Sequence, residues 1–413
     1  MNRIYRVESL LDTDFYKPTT QQFVFHRHPD VQVKFALKNR TASVKLENWI
    51  PEAELREELD HARSLQFQKG EIEYLRGIEA AGKKIFKDDY LAFLEKFRLP
   101  AYHLKKTGHS FKLEFEGSWP EATYWETIAL STINELYYLN ILKQKPRARL
   151  LRELIVETGQ NRLAEKIKIL KKYPGIVMVE FGTRRRFGRL WQDYVVKTLK
   201  DELYPKQLLG TSNIYLARKY GLTPLGTMAH ELFMGYSGIM HGNNDEIRAS
   251  HNQVLRDWEE EYAPALLIAL TDTYGTKFFF EDMTKEQAER WDGLRQDSGD
   301  PLSFGSVEFY RKHGIDPKPK KSFFSDGLEV DSMVKLYKKF HKDTTARFGP
   351  GTHFTNDLGF KALSLVVKLV ESNGYGTVKL SDNLSKATGK PEDIEKFKQI
   401  FGYTGSHYEE CKY

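Results

Sequence analysis

Apolar residues alternate with polar ones at Val31, Val33, Phe35 and Leu37, and again over residues 111–115, the period of strands with one buried face. Residues 52–67 are charged and periodic, hence helical. Ile128, Leu130, Ile133, Leu136, Tyr137, Leu139 and Ile141 predict a long amphipathic helix over 125–142. A charged helical stretch over 143–172, interrupted at Pro146 and Gly159, could connect two domains. From about Gly175 the chain repeats strand, turn, helix. Apolar runs at 176–181, 208–209, 224–229, 266–270, 293–295, 322–324 and 346–348 alternate with helical stretches such as 190–199 and 330–340. Ser212 or Asn213 can cap a further helix that Gly221 ends. These are about seven βα units, the pattern of a parallel sheet or an (α/β) barrel. Beyond Pro350, strands at 363–370 and 377–380 follow without a helix between them, placed to rejoin the N-terminal part.

Composition removes alternatives. The 413 residues predict two or three domains, and 13% aromatic residues can fill large cores, so disorder is excluded as the main state. A net charge of +6 gives no general pull toward nucleic acid or a membrane. The single cysteine, Cys411, rules out a disulfide framework and a multi-thiolate zinc site. The start of the chain lacks an apolar secretory run, and no apolar stretch approaches the roughly 18 residues of a membrane span. A cytoplasmic globular protein is expected.

In a barrel, reactive groups lie on the loops after the strands. Those loops carry Gly182-Thr183-Arg184-Arg185-Arg186, Gly210-Thr211-Ser212-Asn213, His230-Glu231, Thr271-Asp272-Thr273, Arg295-Gln296-Asp297-Ser298-Gly299-Asp300, Ser325-Asp326-Gly327 and Gly349-Pro350-Gly351-Thr352. Arginine forks suit carboxylates and phosphates. Paired aspartates suit sugar hydroxyls or Mg²⁺, and a glycine loop with Thr352 suits a phosphate. Phe181 can stack on a flat ring. Each also has a plainer reading: a solvated arginine face, a capped turn, a core aromatic. Their convergence on strand ends favours a substrate with both sugar and phosphate.

The same loops, with the N-terminal Leu10-Leu11-Asp12-Thr13-Asp14-Phe15-Tyr16-Lys17 and the run Pro224-Leu225-Gly226-Thr227-Met228-Ala229-His230-Glu231, strongly resemble those of nicotinate phosphoribosyltransferases, in family order over most of the chain. The resemblance implies an irregular (α/β) barrel domain at 146–358. It sits beside an N-terminal α/β sandwich-like domain at 1–145, completed by a C-terminal segment at 359–413. It implies an ATP-assisted condensation of nicotinate with 5-phosphoribosyl-1-pyrophosphate, giving nicotinate mononucleotide and pyrophosphate, the entry of nicotinate into NAD synthesis. By resemblance, the ring lies between Phe181 and Tyr16 of a neighbouring subunit in a head-to-tail homodimer. Its carboxylate meets Arg184 and Arg295. Asp272, Asp297 and Asp326 face ribose hydroxyls, Asp272 and Asp297 being also the candidates for Mg²⁺. Gly349, Gly351 and Thr352 take the 5-phosphate, and His230 is the histidine that ATP phosphorylates. Ser212, where nicotinamide-using relatives carry Asp, favours the acid over the amide. Pro350 between the loop glycines donates no N–H. A nucleic-acid-binding reading of the arginine run and the Lys-rich 318–342 segment is opposed by the modest net charge and the acidic loops.

Overall fold

A computed structural model describes residues 4–108 and 110–409, so Cys411 lies outside the described residues. Two sheets organise the chain. One is antiparallel, in the order Tyr375–Gly376, Leu365–Ser372, Gln32–Asn39, Phe111–Ser118, Tyr102–Lys106. The C-terminal strand thus pairs with the first strand of the chain, Phe35 opposite Leu369 and Leu37 opposite Val367. The alternation of Val33 and Phe35 with Leu113 and Phe115 buries one face of the sheet.

The second sheet has seven parallel strands in the order Thr223–Pro224, Leu208–Thr211, Met178–Glu180, Thr345–Phe348, Lys321–Phe324, Gly293–Gln296, Ile268–Leu270. It curls into an open half-barrel. The chain begins at the middle strand, Met178–Glu180, and moves outward to Thr223–Pro224. It then crosses to the far edge at Ile268–Leu270 and returns until Phe348 pairs with Met178. The crossing is made by the helices His230–Ile239 and Asn244–Tyr262. Such a reversal of strand order opens a crevice at the carboxyl ends of the strands.

Several elements differ from the sequence reading. The helix Trp125–Lys143 is buried on nearly every side, with Ser131, Thr132 and Asn134 as hidden as Ile133, so it is a central helix between layers and not an amphipathic one. Gly159 does not interrupt the next helix, which runs unbroken from Ala148 to Lys171. A Cβ there would lie 2.7 Å from the Trp191 ring, so glycine permits close packing. Residues 225–229 continue as irregular backbone beyond the two-residue strand Thr223–Pro224. Residues 377–380 join no sheet ladder; Lys379 forms only an isolated bridge with Thr388. No helix is long and apolar enough to cross a membrane, among the described residues.

Candidate active site

All seven parallel strands aim their carboxyl ends at one region, and six of the loops that follow them line a single cleft: Phe181 and Arg184, Ser212, His230, Arg295 and Asp297, Asp326, and Gly349 with Gly351 and Thr352. The sequence-predicted residues therefore come together, except Asp272. Asp272 is wholly buried and lies behind the lining, bound to Lys379 and to the Ser298 hydroxyl. Tyr16 lines the cleft of its own chain, where Gly226 leaves room for it: a Cβ on Gly226 would sit 2.9 Å from the Tyr16 amide nitrogen. The expectation placed the neighbouring subunit's copy of this residue on the wall; in the single chain its own Tyr16 lies on the cleft.

The three consecutive arginines part company because the chain makes a 3-10 turn at Thr183–Arg185. Arg184 faces the cleft. Arg186 points the other way into the core, where it forms a two-pronged pair with Asp12 at 2.7 and 2.8 Å. Burial opposes ionisation of Asp12, but the Arg186 guanidinium holds its carboxyl below the usual range. Asp12 also accepts from Asn213, so this pair ties the N-terminal segment to two strand-end loops. Replacing Arg186 with Met strands a buried carboxylate. The expected cost is about 3–5 kcal/mol, read as a loss of unfolding free energy in urea.

The glycines of the late loop serve Phe181. A Cβ on Gly349 would meet the Phe181 ring at 2.6 Å, and one on Gly351 its carbonyl oxygen at 2.7 Å. Pro350, which has no N–H to give, accepts instead: the Phe181 amide donates to its carbonyl at 2.9 Å. The loop and the ring are therefore placed together. Phe181 also stacks on Phe323, centroids 5.6 Å apart.

Beside the ring wall, Tyr16 donates its hydroxyl to Glu126 at 3.0 Å, and Arg184 approaches the same carboxylate at 3.8 Å. Burial works against ionisation of Glu126, yet Lys17, Lys368 and Arg184 pull its carboxyl down to about 2. Lys17, fully buried, bridges Glu126 at 2.6 Å and Glu231 at 2.5 Å. The Ser212 hydroxyl is already committed, donating to Asp14 at 2.6 Å. Burial pushes the Asp14 carboxyl upward. Position 212 itself carries no acid, but Asp14 stands one hydrogen bond away from it.

His230 opens its helix and is nearly buried. Its Nδ1 lies 2.9 Å from Thr273 Oγ1, and its Nε2 lies 3.1 Å from Asp297 Oδ2 and 2.9 Å from Lys379 Nζ. Burial and the Lys379 ammonium push the imidazole down to about 4, so it is neutral at physiological pH. Asp297 also pairs with Arg295 at 3.3 Å and accepts from Ser325 at 2.7 Å. Asp326 pairs with Lys386 at 2.5 Å. Ligand atoms of His230, Asp272 and Asp297 lie within 4.8 Å of one another, a spacing that could hold a metal ion. Lys379 Nζ, however, is 3.2 Å from Asp272 Oδ2 as well as 2.9 Å from His230 Nε2, so a cation is already there. A resident Mg²⁺ does not fit this arrangement.

Sequence reasoning missed the cationic wall. Lys368, Lys379 and Lys386 line the cleft, all from the C-terminal segment, which was expected only to complete the N-terminal sheet. The Lys368 side chain makes no hydrogen bond or ion pair with a described residue, and burial pushes its ammonium down to about 7. In the sequence it is the one polar position in the apolar run 365–370, and that break in the pattern was the available signal.

A half-barrel whose strand ends combine an aromatic wall, arginines, carboxylates and a lysine wall suits a transferase acting on a flat ring and a phosphorylated sugar. Comparison with known proteins makes this specific. Residues 176–405 match the sequence profile of the nicotinate phosphoribosyltransferase (NAPRTase) family, and residues 11–134 that of the NAPRTase N-terminal domain. The fold is similar to the crystal structure of nicotinate phosphoribosyltransferase from Porphyromonas gingivalis, with TM-score 0.84 and 29% identity over 96% of this chain and 100% of that one. It is similar also to nicotinate phosphoribosyltransferase from Vibrio cholerae, with TM-score 0.84 and 31% identity over 96% of this chain and 94% of that one. The chain belongs to the nicotinate phosphoribosyltransferase family. It is an enzyme of NAD biosynthesis that phosphoribosylates nicotinate.

Proposed function

We propose that nicotinate lies between Phe181 and Tyr16 with its carboxylate on Arg184 and Arg295, and that 5-phosphoribosyl-1-pyrophosphate spans the rest of the cleft. The observation that carries this is the meeting of an aromatic wall, two arginines and a lysine wall in one cleft of one chain. Gly351 and Thr352 receive the 5-phosphate, beside Gly349. Asp297 and Asp326 accept from the ribose hydroxyls, while Asp272 acts from behind by holding Lys379. The pyridine nitrogen attacks C1 of the ribose. As the new C–N bond forms, the C1–O bond breaks and its electrons leave with the diphosphate. Charge builds on the departing diphosphate, and Lys368 and Lys386 stand where they can stabilise it. The anionic carboxylates of the site face the opposite, cationic charge at C1.

ATP enters as co-substrate through His230. A neutral imidazole with one nitrogen held by Thr273 is a competent phosphoryl acceptor: an N–P bond forms, and the bond to the ADP oxygen breaks. Mg²⁺ comes with the phosphate groups of the substrates, since the resting histidine cluster already holds an ammonium. No nucleic-acid or membrane partner is called for, and the enzyme works in the cytoplasm. The assembly we propose is a head-to-tail homodimer, and Tyr16 of the same chain also lines the cleft.

The direct test is an assay for nicotinate mononucleotide with and without ATP. Product must require both nicotinate and phosphoribosyl pyrophosphate, and ATP must raise its yield. Absence of product with both substrates present refutes the reading.

Lys368 sets a pH dependence. Its ammonium, held at about 7, is charged below that value and neutral above it. Binding of the diphosphate weakens as pH rises through 7, so KM for phosphoribosyl pyrophosphate climbs between about pH 6 and 8. In Lys368→Met the KM is high throughout and this rise is gone. A parent KM that stays flat across that interval contradicts the assignment.

A further inference from the structure

We propose that Lys379 is the built-in counter-ion of the His230 cluster: its ammonium occupies the point where His230, Asp272 and Asp297 would otherwise hold a divalent cation, and it caps the Nε2 lone pair of His230 until an anionic substrate draws it away.

Charge and distance carry the argument. Asp272 and Asp297 bring two carboxylates to the cluster. Lys379 lies 3.2 Å from the first and Arg295 lies 3.3 Å from the second, so the charges already cancel. A divalent ion binds oxygen and nitrogen ligands at roughly 2.0–2.6 Å. Held among these three residues it would crowd the ammonium, a like-charge contact inside a buried site. Asp272 Oδ1 has no hydrogen-bond partner, which leaves one ligand position open to a cation once the lysine is gone.

Hydrogen-bond logic fixes the histidine. An ammonium only donates. The Nε2 that faces it at 2.9 Å therefore accepts and carries no proton. The ring proton sits on Nδ1, which donates to Thr273 Oγ1. Asp297 takes the Ser325 hydroxyl and the Arg295 guanidinium on Oδ1; its Oδ2, 3.1 Å from Nε2, is the acceptor that receives a ring proton once the ammonium is gone. The reactive lone pair is thus preset at Nε2 but covered. The backbone of Lys379 is pinned by reciprocal 2.9 Å hydrogen bonds with Thr388, so uncovering requires only the side chain to swing. Its functional meaning rests on His230 being the phosphoryl acceptor. The test below uses no substrate and is independent of that reading.

Mn²⁺ serves as the probe, added to full-length protein without ATP, nicotinate or phosphoribosyl pyrophosphate and followed by electron paramagnetic resonance. The parent should bind no Mn²⁺ that Asp272→Asn removes. Lys379→Ser should gain one Mn²⁺ per chain, at least about tenfold tighter than any parent binding, and Lys379→Ser with Asp272→Asn should lose it. Independently, ¹⁵N-histidine spectra, with His230 assigned through His230→Asn, should place the parent proton on Nδ1. In Lys379→Met they should move it to Nε2, where Asp297 accepts it. Parent Mn²⁺ binding that depends on Asp272 overturns the proposal. So does a folded Lys379→Ser protein with no added Mn²⁺ affinity, or an unmoved His230 proton in Lys379→Met.

Discussion

In a His230→Asn variant, ATP consumption tied to nicotinate mononucleotide formation falls about 10³-fold or more, while condensation without ATP survives at its basal rate. Asparagine keeps the size and some polarity of imidazole but has no nitrogen lone pair able to take a phosphoryl group. The cleft residues assigned to nicotinate, ribose and phosphate are untouched, so substrate binding and in-line attack persist. The measurement is paired: ADP and nicotinate mononucleotide are quantified in the same reaction. Phosphate on His230 should also be found in acid-labile form on the parent incubated with ATP, and not on the variant. If His230→Asn still releases ADP in step with product, the phosphohistidine route is wrong. If the ATP-free condensation disappears as well, His230 acts in the glycosyl step and not only as the acceptor. Because the imidazole is neutral down to about pH 4, ATP-coupled turnover should show no inflection from this residue near pH 6.5.

This prediction draws on what the sequence made legible and what it did not. Strand-end loops were readable because each is a local signal: a short apolar run followed at once by Gly, Arg, Asp or Ser. Parallel strands then bring those loops to one end of the sheet whatever the details of packing. Arg184 and Arg186 were not separable, since a 3-10 turn, invisible in composition, sends one to the cleft and the other to Asp12. Lys379 and Asp14 were out of reach for a different reason. Lys379 meets His230 across 149 positions, and Asp14 meets Ser212 across 198. Contacts at that separation are decided by how the N-terminal and C-terminal segments dock on the half-barrel, and no local pattern encodes them. Gly349 and Gly351 were read as phosphate-binding glycines. The close approach of Phe181 gives each a second reason to be glycine, one that local sequence does not show.

Arg184→Gln is expected to raise KM for nicotinate by about 10²–10³-fold, equivalent to about 3–4 kcal/mol, with a much smaller change for phosphoribosyl pyrophosphate. Arg184 is the cleft arginine nearest the Tyr16–Glu126 side of the ring wall, and Glu126 holds it at 3.8 Å without neutralising it in a tight two-pronged pair. A substrate carboxylate can therefore take the guanidinium with its fork geometry intact. Removing that fork leaves the carboxylate of nicotinate next to Glu126 and Asp14, with Arg295 still engaged to Asp297 at 3.3 Å. Nicotinamide carries no charge to pair, so its turnover should change little, and the expected preference of kcat/KM for the acid should collapse. The comparison of both substrates in both proteins makes the result specific. A general distortion of the cleft would lower turnover of acid and amide alike and would raise KM for phosphoribosyl pyrophosphate too. An Arg184→Gln enzyme that keeps its preference for nicotinate places the carboxylate elsewhere, with Arg295 as the remaining guanidinium to test. Arg184→Lys separates charge from shape: a point charge restores part of the binding, and the shortfall from the parent measures what the planar two-pronged contact adds.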